Sequence, residues 1–193
     1  MVIVLKKKRI IKSVFVLIIL FTVVTILSGL LIRALYPLRH EDSIIKHSQS
    51  YGLDPYLVMG IISAESRFDE TAISHKNAKG LMQLREETAE WCVEKFNINT
   101  THERIYEPDT NIMIGCCYLS YLLELFGGEV RTAVAAYNAG QGNVSEWLKN
   151  PSYSPDGKKL ENIPFPETEA YVEKVSNRQN IYRKLYNKNF PVI

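Results

Sequence analysis

The chain has 193 residues, a formal net charge of +2 and three cysteines, and its charge is unevenly distributed. Six of its 23 Lys and Arg residues lie in residues 1–33, which hold no Asp or Glu. The remaining 17 bases face 21 acids, so the rest of the chain has a net charge of −4. Nucleic-acid-binding domains usually carry a basic patch or stripe. This mildly acidic domain has none, so nucleic acid is not an expected partner. Its length, about 150 residues, is enough to bury a sizeable core.

The N-terminal residues predict a membrane anchor. A basic segment, residues 1–12, precedes Ser13–Ile32, a run of 20 residues without a charge. A helix of this length rises about 30 Å, which is the thickness of the hydrocarbon core of a bilayer. Basic residues favour the cytoplasmic end of a membrane helix. The pattern therefore predicts a single-pass protein of the cell membrane, with a cytoplasmic N-terminus and everything from about Arg33 onward outside.

A cleavable signal peptide is the alternative interpretation of the same residues. Signal peptides usually have an apolar region of about 7–15 residues that ends in a small-x-small cleavage site. The run here is longer, bulky residues follow Ser28-Gly29, and no cysteine lies nearby to accept a lipid. These features favour an uncleaved anchor over residues 13–32. Residues 33–42 would then be a juxtamembrane linker, and residues 43–193 an extracytoplasmic domain.

The extracytoplasmic residues predict an all-α domain of six or seven short helices, because no apolar–polar alternation is long enough for a sheet. A first helix over Glu41–Tyr51 would end at Gly52, and a second would start at Asp54 and Pro55. Asn150–Pro166 is expected to be a long loop, and a short hairpin within the loops is left open. Later helices are expected over about 86–96, from Asp109 as N-cap to Phe126, over 129–139, from Asn143 as N-cap to Leu148, and from Thr168 as N-cap to about Tyr186.

The second of these helices carries a carboxylate on its apolar face. Glu65 shares that face with three residues that precede it by seven, four and three positions, Val58, Ile61 and Ile62. Burial disfavours the charged form of a carboxyl group, and the negative end of the helix raises its pKa further. A pKa near neutral would let Glu65 donate a proton. The alternative is a partly exposed Glu65, bonded to a nearby amide or to Arg67.

Short patches further along the chain carry side chains that suit a sugar-binding cleft. The sequence GLMQ places an amide, which can bind sugar hydroxyls or an N-acetyl group, beside an adaptable methionine. The sequence AYNAG places an aromatic ring and an amide at a helix end, and FPETEAYV places a carboxylate and a tyrosine at the start of the last helix. Each patch alone also fits ordinary packing or capping. The candidate side chains are Ser74, Met82, Gln83, Tyr137, Asn138, Glu167 and Tyr171.

In this order, the residues resemble the catalytic domain of the soluble lytic transglycosylase family, the goose-type-lysozyme-like enzymes that cleave peptidoglycan. The resemblance covers about residues 43–186. Two features depart from it: the three cysteines, and Arg85-Glu86-Glu87 in place of the Pro-Gly turn that is frequent in the family, which bears on one wall of the groove. The matching pieces are Glu65-Ser66, Ser74, Gly80-Leu81-Met82-Gln83, Asn111-Ile112 with Gly115 and Tyr118-Leu119, Ala136-Tyr137-Asn138-Ala139-Gly140, and Glu167-Thr168 with Tyr171-Val172.

The resemblance implies a lysozyme-like α fold and cleavage of the β-1,4 bond between N-acetylmuramic acid and N-acetylglucosamine. It also implies a product with a 1,6-anhydro ring on the muramic sugar and no requirement for a metal or cofactor. Glu65 would be the catalytic acid and then the base, and Tyr137 would position it. The implied groove-lining residues are Ser74, Met82, Gln83, Asn138 and, at the rim, Glu167 and Tyr171.

The residues themselves agree with a single catalytic carboxylate. Most glycosidases pair two carboxylates, but Asp69 and Glu70, which are close to Glu65 in sequence, fall in a polar loop that we expect to face solvent. The expected partners are peptidoglycan glycan strands, the membrane and, because of the tether, a larger membrane-protein complex. Two alternatives stay open: a muramidase-type hydrolase on the same fold, and a catalytically silent membrane-tethered module that binds glycan.

The three cysteines permit two arrangements. A disulfide from Cys92 to Cys116 or Cys117 requires that their helices touch, and packed free thiols are equally consistent with the sequence. Neither the cysteine spacing nor the four scattered histidines indicate a metal site.

Overall fold

The computed structural model of the chain describes residues 2–187, and its regular elements are helices. Met1 and residues 188–193, the last part of the predicted domain, lie outside the described residues. The chain divides into two units between Pro37 and Leu38, which are described separately. The all-α prediction is confirmed. The sequence left a short hairpin in the loops as an open possibility. Within residues 2–187 the structure has two isolated β-bridges instead, which join Lys79 to Ile73 and to Leu84.

The first unit contains one helix, α1, which covers Val2–Leu35. Within it, Val14–Leu35 is long and apolar enough to cross a membrane. None of the most apolar part of this stretch is buried inside the protein. Such exposure is expected of a helix whose apolar surface faces lipid. α1 continues past the predicted end at Ile32 and stops before Pro37, because a proline disfavours helical geometry in the residue that precedes it.

The second unit contains seven α-helices within the described residues. This number agrees with the prediction of six or seven. A short 3-10 turn, His102–Arg104, precedes the helix Pro108–Leu125. The seven helices are α2 (Glu41–Ser50), α3 (Pro55–Glu65), α4 (Glu86–Lys95), α5 (Pro108–Leu125), α6 (Val130–Ala139), α7 (Gln141–Leu148) and α8 (Pro166–Tyr186).

The starts of three helices test the predicted N-caps. Asp54 caps α3 as predicted, because its Oδ1 accepts a hydrogen bond at 2.9 Å from the N–H two residues further on. α5 begins at Pro108 and α8 at Pro166, since proline suits the first helical position, where its missing N–H has no intrahelical partner to lose. The predictions that Asp109 and Thr168 cap these helices are therefore wrong.

The displaced polar side chains make other contacts. Asp109 Oδ1 accepts a hydrogen bond from the Ser43 hydroxyl at 2.8 Å and lies 3.0 Å from His47 Nε2, so it ties α5 to α2. Asn143, expected as the N-cap of α7, lies inside that helix, and that prediction is also wrong. Its amide donates a hydrogen bond to the Ala139 carbonyl oxygen at 2.8 Å, across the break between α6 and α7.

The core is built around α3, whose residues from Pro55 to Ala64 are all buried. Its main partner is α8, and the two helices approach closely: a Cβ atom on Gly60 would lie 3.0 Å from the Val175 carbonyl oxygen. α3 is therefore enclosed on all sides, although periodicity alone indicates one apolar face. Glu65 is its last residue and lies at the edge of this buried region.

All three cysteines are buried free thiols, so the disulfide alternative is not formed. Burial raises the pKa of the Cys92 thiol to about 12. A thiol with such a pKa stays protonated near neutral pH and is a poor nucleophile. Within the described residues, the cysteines act as small apolar side chains.

A tight turn between α3 and α4 is held in place by α5. The Met82 N–H donates a hydrogen bond to Asn111 Oδ1 at 2.8 Å, and Asn111 Nδ2 donates one to the Lys79 carbonyl oxygen at 3.3 Å. The Met82 side chain packs directly over Gly115, where a Cβ atom would lie 2.3 Å from Met82 Sδ. The turn can approach α5 this closely because residue 115 has no side chain.

We expect Gly115→Ala to destabilise the fold by about 1–3 kcal/mol, the usual effect of an added methyl group in a packed interior. The thermal midpoint of the full chain in detergent, followed by near-UV circular dichroism, should fall by about 2–4 °C for each kcal/mol. Gly142→Ala is the control, because a Cβ atom there meets nothing within 4 Å. Alanine at that helical position should leave the midpoint unchanged or raise it. Equal midpoints for both variants would contradict the close contact.

Candidate active site

Glu65 meets the side chain of one tyrosine at the end of α3. Its Oε1 accepts a hydrogen bond from the Tyr171 hydroxyl at 2.7 Å. Burial raises the pKa of the Glu65 carboxyl to about 7, and this effect outweighs the Tyr171 hydrogen bond and the Lys174 charge, which lower it. A carboxyl group with this pKa exists in both protonation states near neutral pH, so it can donate a proton and later accept one.

Two cations from α8 bind the backbone at the C-terminal end of α3. Lys174 Nζ donates a hydrogen bond to the Ala64 carbonyl oxygen at 2.5 Å. The Arg178 guanidinium donates to the carbonyl oxygen of Ser63 and to its hydroxyl, the latter at 2.6 Å. The last carbonyl groups of a helix lack intrahelical partners and carry partial negative charge, which cations stabilise. Lys174 and Arg178 therefore fix the backbone that carries Glu65.

The tyrosine that contacts Glu65 is not the one the resemblance implied. Tyr137 was expected to position Glu65, but its hydroxyl donates a hydrogen bond to the Met82 carbonyl oxygen at 2.9 Å. Its ring packs against Tyr118, with the ring centroids 5.4 Å apart. Tyr137 thus joins α6 to the turn between α3 and α4 and lines the site, while Tyr171 makes the direct contact.

A cleft of about 300 Å³ opens at Glu65. It brings together five of the predicted binding side chains, and the two others lie elsewhere. Met82 is completely buried against α5, so its side chain does not line the groove as expected. Tyr171 is 7% exposed and lies behind Glu65 rather than at the rim. The predicted residues in the cleft wall are Ser74, Gln83, Tyr137, Asn138 and Glu167.

Gln83 has a strained backbone and an oriented amide. Its φ angle is 47°, a left-handed conformation that glutamine rarely adopts. Its Nε2 donates hydrogen bonds to the carbonyl oxygens of Ala72 and Gly80, both at 2.9 Å. Both amide hydrogens are thereby used, and the side-chain oxygen is left as an acceptor for a ligand N–H or O–H.

Two other cleft residues combine a structural contact with a free polar group. Ser74 Oγ accepts hydrogen bonds from the N–H groups of Lys76 and Ala78, at 3.3 and 3.0 Å, so it caps a turn and still has a hydroxyl hydrogen to donate. Asn138 Oδ1 accepts a hydrogen bond from the Thr168 hydroxyl at 2.8 Å, which leaves the Asn138 amide hydrogens for a ligand.

Sequence reasoning missed several residues of the site. Lys174 and Arg178 follow Tyr171 by three and seven positions, and this helical spacing on α8 was the available signal. The further cleft-lining residues that were not proposed as binding residues include His75, Lys76, Arg85, Thr88 and Tyr118. Tyr118 belongs to a matched stretch, and Arg85 to the departure from the family pattern.

Other concave or charged sites offer less chemistry. A groove of about 460 Å³ lies along α6 and α8, with valines 130, 134, 172 and 175 among its lining residues, and it does not include Glu65. His102 lies between two carboxylates, with 3.3 Å from Nε2 to Glu86 Oε1 and from Nδ1 to Glu90 Oε1. These three residues have the donor types of a metal site, but they are accessible to solvent, an ion pair accounts for the arrangement, and none of them lines the cleft.

A sequence profile of the family described as "Transglycosylase SLT domain" matches residues 42–160. The soluble lytic murein transglycosylase of Salmonella typhimurium is 36% identical over 151 residues, which cover 77% of this chain and 23% of that protein. The membrane-bound lytic murein transglycosylase C of Edwardsiella ictaluri is 28% identical over 174 residues, which cover 76% of this chain and 47% of that protein. The chain therefore spans less than half the length of either relative.

Solved structures agree with the sequence comparison. An inactive mutant of lytic transglycosylase Slt from Pseudomonas aeruginosa superposes with a TM-score of 0.71 at 34% identity, covering 82% of this chain and 26% of that chain. The 70 kDa soluble lytic transglycosylase of Escherichia coli gives 0.70 at 32% identity, covering 79% and 25%. Since the profile covers more than half of the chain and the fold agrees, this chain belongs to the transglycosylase SLT domain family.

Proposed function

We propose that the chain is a membrane-anchored lytic transglycosylase. It cleaves the β-1,4 bond between N-acetylmuramic acid and N-acetylglucosamine in peptidoglycan and forms a 1,6-anhydro ring on the muramic sugar. The observation that carries the proposal is Glu65, a partly buried carboxyl group with a pKa of about 7 that opens into a polar cleft. The names of the soluble and membrane-bound relatives support the same reaction class and a peptidoglycan (murein) substrate.

The reaction begins with protonated Glu65. It donates its proton to the oxygen that leaves with the neighbouring sugar, and positive charge develops at the anomeric carbon of the muramic residue. The carbonyl oxygen of the substrate's own 2-acetamido group stabilises this charge, as in the glycosidases that lack a second carboxylate. The Tyr171 hydroxyl holds the Glu65 carboxyl in one orientation during this step.

The second step uses the carboxylate that the first step leaves behind. Glu65 takes the proton from the C6 hydroxyl of the same muramic residue, and the C6 oxygen bonds to the anomeric carbon to close the anhydro ring. One group therefore acts as acid and then as base, which requires a pKa near the working pH. Ser74, Gln83 and Asn138 bind sugar hydroxyl or N-acetyl groups, with Ser74 and Asn138 as donors and the Gln83 oxygen as an acceptor.

We place the catalytic domain, residues 43–193, on the outer side of the cell membrane. The anchor spans residues 13–32, the basic residues 1–12 stay in the cytoplasm, and residues 33–42 connect the anchor to the domain. The cluster of positive charge before the apolar run supports this orientation. A tether confines cleavage to glycan near the membrane surface and suits membership in a larger membrane-protein complex.

A muramidase-type hydrolase is the second candidate, because the cleft contains another carboxylate. Glu167 lines the same cleft as Glu65. Inverting glycosidases use a second carboxylate to activate water. Glu167 is exposed at the start of α8, however, and it lacks the burial and the tyrosine contact that hold Glu65. We therefore propose Glu167 as a residue of the cleft rim, not as a catalytic base.

Product analysis tests the reaction and the role of Glu65. The full chain in detergent should release muropeptides with anhydro ends from purified peptidoglycan, lighter by one water molecule than hydrolytic products. Glu65→Gln cannot donate a proton and should reduce release by about 10²–10⁴-fold. Glu70→Gln, in an exposed loop, is the matched control and should keep activity.

Three outcomes would contradict parts of this proposal. Hydrated reducing ends from the parent would establish the hydrolase, above all if Glu167→Gln also abolished release. Anhydro products from Glu65→Gln at the parent's rate would remove Glu65 from the mechanism. No release from a folded parent would favour the glycan-binding module.

The pH profile tests whether Lys174 tunes Glu65. The alkaline limb of kcat/KM should reflect loss of the Glu65 proton, with an apparent pKa of about 7. The Lys174 charge lowers that pKa, so Lys174→Met should move the limb towards higher pH. Lys184→Met, an exposed change on the same helix, is the control and should leave the limb in place. A limb unaffected by Lys174→Met would show that the ammonium group acts only on the backbone.

The stability of the parent relative to Glu65→Gln should fall as the pH rises. The folded-state pKa of about 7 lies above the ordinary value of 4.5, so between these values the native state binds more protons than the unfolded state. Stability contributed by this group is present at about pH 4 and is lost by about pH 8, on the order of 3 kcal/mol in total. Glutamine loses no proton. The thermal midpoint of the variant should therefore increase relative to that of the parent as the pH rises. A difference between the two midpoints that stays constant with pH would contradict the raised pKa.

A further inference from the structure

A second depression adjoins the Glu65 cleft. It has a volume of about 220 Å³ and is lined by Glu87, Thr88, Trp91, Tyr118 and Gln141. Thr88 and Tyr118 also line the cleft, so the two concavities share a wall. We call this second concavity the Trp91 depression. Because the two concavities share this wall, a chain-like ligand that leaves the cleft past Tyr118 would continue into the Trp91 depression.

Trp91 gives the depression an aromatic side that is fixed by its neighbours. Its ring centroid lies 5.0 Å from that of Tyr121 and 5.9 Å from that of Phe96, both in edge-to-face arrangements. The Lys95 ammonium group lies 4.9 Å from the ring centroid. These contacts orient the indole while leaving it partly exposed. A rigid, amphipathic aromatic ring suits contact with the apolar face of a sugar.

Gln141 contributes a polar group that the fold does not use. Its Oε1 is buried and has no hydrogen-bond partner within the described residues. Buried polar groups in folded proteins are nearly always paired, and an unpaired one destabilises the fold. Gln141 is the first residue of α7 and follows Gly140, which lines the cleft. A ligand hydroxyl or N-acetyl group in the Trp91 depression would give this amide a partner after rotation about its terminal side-chain bond.

The charges around the depression are paired, which suits a neutral ligand. Glu87, in its wall, lies 3.3 Å from Arg85. Glu86 and Glu90, on the same helix α4, each lie 3.3 Å from His102, and Lys95 lies over the Trp91 ring. Because acids and bases are mixed here, a charged ligand gains no strong attraction. Neutral hydroxyl and acetamido groups suit such a surface, and carboxylates accept hydrogen bonds from sugar hydroxyls.

We infer that the Trp91 depression is a sugar-binding subsite that extends the Glu65 cleft beyond Tyr118. The indole of Trp91 contacts the face of a further sugar ring of the glycan strand, and the amide of Gln141 binds its hydroxyl or N-acetyl group. The inference rests on the proposed function, since the ligand is the continuation of the strand held at Glu65. The subsite is built partly from the Arg85-Glu86-Glu87 segment, where this chain departs from the family pattern.

Binding measurements on strands of two lengths test the subsite separately from catalysis. The probes are peptide-free fragments of alternating N-acetylglucosamine and N-acetylmuramic acid, one short enough to fill only the Glu65 cleft and one several sugars longer. The full chain with Glu65→Gln, in detergent, binds without cleaving, and calorimetry gives Kd. Adding Gln141→Leu should raise the Kd of the long fragment by about 3- to 10-fold, which is the effect of losing one net hydrogen bond. The short fragment should keep its Kd.

Two controls separate a subsite from a folding effect. Gln141→Leu removes an unpaired buried atom, so its thermal midpoint should equal or exceed that of Glu65→Gln alone. Gln49→Leu makes the same change at an exposed position on α2 and should leave both Kd values unchanged. Trp91→Leu is a second variant, and it should raise the Kd of the long fragment while leaving that of the short fragment unchanged.

Each remaining outcome would overturn the inference. Equal losses for short and long fragments, or no loss for either, would remove the subsite while leaving Glu65 and its reaction untouched. The long fragment with its stem peptides attached is a third probe, and a loss confined to it would assign the depression to the stem peptide instead. Failure of the Glu65→Gln protein to bind either fragment would refute glycan recognition itself, and with it the proposed function.

Discussion

The packing of α3 against α8 is the constraint on which the site depends. The two helices are close enough that Gly60 has no room for a side chain, and α3 is buried along almost its whole length. Burial of the Glu65 carboxyl at the end of α3 raises its pKa, and α8 supplies Tyr171 and Lys174, which lower the pKa in part. The pKa of about 7 is therefore a balance to which the contact between α3 and α8 contributes. A looser contact would admit water and leave an ordinary carboxylate.

A second constraint sets the opposite side of the cleft. Ser66, next to Glu65, donates a hydrogen bond to the Leu81 carbonyl oxygen at 2.8 Å, and Asn111 accepts one from Met82. The turn that carries Gln83 is thus bonded to the end of α3 and to α5. This bonding maintains the positive φ angle of Gln83, whose side chain lines the cleft while its amide donates to the Ala72 and Gly80 carbonyl oxygens. Strain of this kind persists only where the surrounding contacts determine the backbone.

Much of this arrangement follows from the sequence, and the exceptions have physical reasons. Periodicity and capping residues locate the helices, and the position of Glu65 on an apolar face predicts its raised pKa. Tyr171 contacts Glu65 where Tyr137 was expected to, because the order of motifs does not specify which hydroxyl reaches the carboxyl group. Met82 was expected in the groove because methionine packs adaptably on a sugar face and the matched motif places it beside Gln83. Adjacent residues in a turn point in different directions, and Met82 is buried against α5. The contact between Met82 and Gly115 joins positions 33 residues apart, which local patterns do not encode.

The cleft contains two carboxyl groups, Glu65 and Glu167, and their surroundings differ. Glu65 ends a helix that is enclosed by protein, and its Oε1 is held by Tyr171. Glu167 is the second residue of α8 and is open to water. A general acid must retain its proton until the glycosidic oxygen arrives, and burial favours that retention at Glu65. The proposed reaction therefore assigns proton donation to Glu65. The unused hydrogen-bonding groups of Ser74, Gln83 and Asn138 can then serve to hold the sugar against it.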